Sequence, residues 1–233
     1  MTTNYYMVIS SLPRIFPDYK VESPPISRLQ LEKRLGLLPI ETQTRLYAIE
    51  SLVWSSWFNP SQSVEKTRKD YQQLMQINSR VICNLIVWYF DLRSIVSALR
   101  MKHIGKAPPA NPKNHWITHW DQKLIEHWSE PDLGLKFVYP SLIKMAEDLA
   151  RNDTPAVEEF LLNFIWKYLS SIETGHYFDL EALIIYLLRW DIVQYWSTFS
   201  TTNILEKVNE LYQALVSPNQ FSEAMGFNEG SLL

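Results

Sequence analysis

Two histidines four apart, in His115-Trp116-Ile117-Thr118-His119, come nearer to metal chemistry than any other spacing in this chain. On a helix an i,i+4 pair puts both imidazoles on one face, an arrangement from which zinc can be held. A third ligand is missing, because His127 would lie about 12 Å further along the same helix. No cysteine or carboxylate stands at ligand spacing, so the pair predicts no metal site. Trp116, Trp120 and Trp128 share the helical spacing and read instead as anchors in the core or at an interface.

Other chemistry is equally sparse. There is no GxGxxG or GxxxxGK[ST] to cradle phosphate and no GxSxG nucleophile turn. Carboxylate neighbours such as Glu147-Asp148 and Glu158-Glu159 point about 100° apart on a helix and read as solvated faces rather than an acid/base pair. Cys83 is the only cysteine, set among Val81, Ile82, Leu85 and Ile86, and predicts a buried thiol in a reducing compartment. These residues point to no catalytic group, no cofactor and no metal. Four cations are better candidates, and their use would be to meet a partner. Arg93, Arg100 and Lys102 recur along one predicted helix, where they suit an acidic surface. Arg189, between Leu188 and Trp190, either joins an internal salt bridge, the commoner arrangement, or reaches a partner along a groove.

The elements that carry these residues are helical. Only six glycines occur in 233 residues, and proline-free stretches are long. Helices are predicted over Ile26–Leu35, Ile40–Trp57, His115–Trp128, Ser141–Ala150, Phe178–Trp196 and Ile204–Val216, with Asn59-Pro60 closing the second and Ser217-Pro218 opening a tail. Thr154-Pro155 reads as N-cap and first residue of a further helix ending near Gly175. Ser63 to Ile104 has neither proline nor glycine, and its apolar seam at Tyr71, Met75, Ile82, Leu85, Tyr89, Leu92, Val96 and Leu99 predicts one long helix or a helix broken once. Unbroken, it would reach about 63 Å. Asn78 is the polar position of that seam and a candidate for setting register. Tyr5 to Ser11 reads as a short extended segment.

The fold class is therefore all-α, a multi-helix bundle with one long helix and a short extended N-terminal segment. The proline-rich 106–113 predicts a connection between an N-terminal helical subdomain, 1–105, and a C-terminal one, 114–233, which can also pack as one unit. An echo of Phe90-Asp91-Leu92, Leu99 and Ile104 in Phe178-Asp179-Leu180, Leu187 and Ile192 admits two readings, duplicated helical units or a chance match between core helices.

A hydrophobic content of 46% supports a large core. The net charge of -3 removes the long-range attraction to phosphate that general nucleic-acid binding needs. No signal-peptide pattern opens the chain. The apolar runs Val81–Phe90 and Leu183–Leu188 fall short of the ~20 residues of a spanning helix, so work at a membrane is expected from its side.

One resemblance adds to this reading. Trp166-Lys167-Tyr168-Leu169, the stretch from Glu173 through His176-Tyr177-Phe178-Asp179, and Leu187 through Trp196 resemble a bacterial family encoded beside V-type ATPase genes and thought to fill the place of the C-type coupling component of V/A-type ATPases. The opening Tyr5-Tyr6 with Leu12-Pro13 is a second match, and Asp91 through Lys102 with Gly105 a third. The resemblance implies a non-catalytic adaptor that couples the central stalk of a rotary ATPase to its membrane ring, with the stalk and ring proteins as partners. It places the chain in the cytoplasm, peripheral on the cytoplasmic face of the inner membrane. A stand-alone helical scaffold or regulatory protein would share the composition, and a small-molecule enzyme would need a pocket with convergent polar groups.

Overall fold

The structure is a computed structural model that describes residues 3–55 and 63–216, with side chains described for 5–54 and 63–200. Helix makes up 65% of it, and no strand occurs among the described residues. The expected ends of the second helix at Trp57 and Asn59-Pro60, and the tail from Ser217-Pro218, lie outside them.

Helix α1, Thr3–Ser11, replaces the expected extended segment. A lone strand would leave its ladder groups unpaired. As a helix the segment instead buries Val8 completely and sets Tyr6 against Phe178 at 4.8 Å. Helix α2, Arg28–Leu35, opens on a capping box in which Ser27 and Gln30 each satisfy the other's backbone N–H. Helix α3, Ile40–Glu50, runs into a π-helical turn, Ser51–Ser55.

The long apolar seam is broken once. Helix α4, Val64–Leu74, and helix α5, Arg80–His103, are separated at 75–79, the place occupied by Asn78. Ser79 starts the second helix, its hydroxyl accepting from Ile82 N at 3.2 Å and donating to Glu181 at 2.6 Å. Gly105, at a φ of +72°, closes it as Lys106 N reaches back to Met101 O. Cys83 is half-buried rather than buried, its thiol near the carbonyls of Met75 and Ile77. By length and composition α5 could cross a membrane, against the expectation from the shorter run, yet 61% of its apolar window is buried inside the protein.

The proline-rich 106–113 ends in a 3-10 turn, Pro112–Asn114, and the helix expected over His115–Trp128 shrinks to α6, Asp121–Glu126. Side chains stop it, because Thr118 Oγ1 donates to Asp91 on α5 at 2.6 Å and accepts from Trp120 N. Helix α7, Leu142–Ala150, and helix α8, Thr154–Ile172, follow. Asp153, not Thr154, caps α8. Helix α9, Leu180–Val216, is continuous for 37 residues where two helices were expected. Ser197 and Thr198 tolerate its interior by donating to Gln194 O.

Helix α9 packs on α1, α3 and α8, while α5 packs on α7, and the buried residues from both sides of 106–113 form one core. Trp88 of α5 stacks on Tyr168 of α8 at 3.7 Å. The echoed residues are not equivalent. Phe90 and Asp91 are buried within α5, whereas Phe178 is exposed and Asp179 precedes α9.

Candidate functional site

Pro13 and Pro17 keep the chain after α1 out of a helix, and three aromatic donors from the C-terminal helices catch it. Tyr186 donates to Pro13 O at 2.9 Å, Trp166 Nε1 to Pro17 O at 3.2 Å, and Trp190 Nε1 to Ile26 O at 2.9 Å. Each bond satisfies a polar tip on an otherwise apolar side chain. Between this strap, the end of α8 and the start of α9 lies a cleft of about 410 Å³, within the ~300–1,000 Å³ common for ligand sites.

Arg189 forms its floor. The guanidinium lies over the Trp166 ring at 5.1 Å, donates through Nη1 to Glu173 at 2.7 Å, and through Nη2 to Ser170 Oγ at 2.8 Å. Its Nε is buried without a hydrogen-bond partner. The Ser170 hydroxyl proton is committed to Trp166 O, and His176 Nδ1 lies 2.7 Å from Asp179, so these two groups hold structure in the cleft wall. Burial pushes the Tyr186 phenol up to about 12, leaving it a neutral donor. Arg14 stands exposed on the strap, and Phe16 and Tyr177 form an exposed aromatic rim. A cleft with cationic groups and aromatic walls can bind a group that is partly apolar and negatively charged.

The four cations singled out from sequence do not converge. Arg93 and Arg100 line one open groove on α5, about 430 Å³, with Met101 and Ile104. Nine positions at about 100° each put Lys102 on the side opposite Arg93. Lys102 donates to the carbonyls of Ser129 and Glu130. Arg100 pairs with Glu158 of α8 at 3.1 Å. Arg93 has no ion pair among the described residues, lies over the Phe90 ring at 5.8 Å, and has its pKa lowered by burial. Arg189 belongs to the other cleft and takes the internal salt bridge. A single face bearing Arg93, Arg100 and Lys102 is thus replaced by two faces.

His115 and His119 do not share a helix, so the geometry that would have paired them is gone. His119 Nδ1 lies 3.0 Å from Asp91, and His127 Nδ1 lies 2.7 Å from Glu130. Two buried carboxylates escaped sequence reasoning. Burial raises the pKa of Asp91, with the Thr118 hydrogen bond and His119 opposing. Asp191 faces Arg28 at 3.6 Å, and Arg28 in turn holds Glu50 through its Nη1 and Nη2. Burial pushes the Asp191 carboxyl well above the ordinary range, the Glu50 charge adds to this, and Arg28 opposes it. An aspartate inside an apolar helical run is the one signal that could have marked both. No protein-family model, curated protein or solved structure matches this chain.

Proposed function

We propose that this protein is a non-catalytic helical adaptor of a V-type rotary ATPase, joining central stalk to membrane ring from the cytoplasmic face, and that the strap cleft is its partner-binding site. One observation carries the choice of site. The residues on which the resemblance rests come from opposite ends of the chain, yet Leu12 and Pro13 line the same cleft as Trp166, Glu173, His176, Tyr177 and Arg189. Tyr6, from the same opening stretch, packs on Phe178 beside it. The assignment to a rotary ATPase rests on the resemblance, and the cleft supplies a surface on which it can be tested. Arg93, which lines the α5 groove and has no ion pair among the described residues, offers a second and weaker contact for an acidic partner.

The test is retention of purified stalk and ring subcomplexes on the immobilised protein. The wild-type chain is expected to retain one of them without nucleotide turnover of its own. Arg14→Glu combined with Tyr177→Ala, both on exposed side chains, is expected to weaken retention at least about tenfold with an unchanged melting temperature. Arg93→Glu is expected to act mainly on association rate and salt dependence. Failure of the wild-type protein to retain any stalk or ring component removes the assignment and leaves a stand-alone scaffold.

A further inference from the structure

We infer that His176, Asp179 and Glu181, where the loop after α8 enters α9, form a binding site for a first-row divalent cation, for which Zn²⁺ is the probe. The inference does not depend on the rotary ATPase reading. One ligand atom from each residue lies within 4.8 Å of the other two, and all three side chains are half-buried. Both carboxylates are already oriented by partners that use a single oxygen. Asp179 Oδ1 accepts from Ala182 N at 2.9 Å, and Glu181 Oε1 accepts from Ser79 Oγ at 2.6 Å. That leaves Asp179 Oδ2 and Glu181 Oε2 to turn toward His176, the kind of outer-shell support that orients metal ligands. His176 Nδ1 and Asp179 Oδ2 are 2.7 Å apart, at hydrogen-bond distance. A cation bound at Nδ1 takes the place of the proton in that bond, and the imidazole stays neutral by carrying its one proton on Nε2.

The geometry asks for side-chain rotation only. Tetrahedral Zn²⁺ with bonds of about 2.0–2.2 Å sets its ligand atoms about 3.4 Å apart, so the His–Asp pair opens by about 0.7 Å while ligand atoms as far apart as 4.8 Å draw in by about 1.4 Å. One imidazole and two carboxylates suit Zn²⁺ or Mn²⁺ better than Ca²⁺ or Mg²⁺, which favour oxygen alone. Two carboxylate charges also outweigh the roughly half positive charge of a helix N-terminus. His176 lines the strap cleft, so the remaining coordination position opens where water or a carboxylate can enter.

Calorimetric titration of the chelator-treated full chain with Zn²⁺ tests the site. One ion per chain is expected, with a Kd below about 10 μM, and a rise in melting temperature on loading. Asp179→Asn keeps an oxygen for Ala182 N, and Glu181→Gln keeps one for Ser79. Each of these, and His176→Gln, is expected to weaken binding about tenfold or more, with the metal-free melting temperature held. Exposed His115 provides the control, and His115→Gln is expected to leave binding unchanged. The inference is overturned by the absence of a saturable site, or by affinity that survives the three ligand changes. If Asp179→Asn unfolds the protein, the glutamate and histidine variants decide the matter on the same criteria.

Discussion

Asp191 shows how one side chain can set the pH response of the molecule. It is 5% exposed and faces Glu50 and Arg28, and its folded pKa is raised by burial. In the unfolded chain the group titrates near the ordinary value of about 3.9. Between the two pKa values the folded state binds the extra proton, so this group's contribution to stability falls as pH rises through that window. Melting temperatures measured from about pH 4 upward are expected to show this decline in the wild type and a smaller one in Asp191→Asn, which cannot ionise. Equal slopes would contradict the raised pKa. An aspartate within an apolar helical run marks Asp191 and Asp91 as candidates for burial, but their partners Arg28, Glu50, Thr118 and His119 are distant in the chain and are not legible from it.

At the scale of elements, composition and period specified helix well, and side-chain competition explains most of the departures. Ser79 as an N-cap breaks the seam that apolar spacing alone would continue, and Thr118 ties its loop to α5 where a helix was expected. Thr118→Val leaves an oxygen of Asp91 without its hydroxyl donor and is expected to cost about 1–3 kcal/mol in denaturant unfolding. A change within experimental error would mean that the loop is held by other contacts. In α9 the residues from Leu183 to Trp196 are apolar on almost every side of the helix, a pattern that calls for enclosure, and Leu183, Leu187 and Trp190 are buried accordingly. Leu187→Ala is expected to lose about 2–5 kcal/mol, because the surrounding helices cannot close the cavity fully. The first helix reads as extended in sequence, since its Tyr and Val content favours strand locally while its packing on α9 decides the outcome.

For the molecule as a whole, the bundle was legible and the meeting of its ends was not. Arg189 could be marked from its neighbours, but nothing local says that Leu12 and Pro13 lie across a cleft from it. Hydrogen bonds spanning 149 to 173 residues, from Trp166, Tyr186 and Trp190 to the strap, create that cleft. The direct test of the proposed role is amide hydrogen exchange with and without whichever stalk or ring subcomplex the retention experiment identifies. Slower exchange over residues 9–17 and 173–178, with 96–104 little changed, is the result expected of a partner seated in the cleft. Protection confined to 96–104, with the strap unchanged, would contradict it and move the interface to the groove at the end of α5.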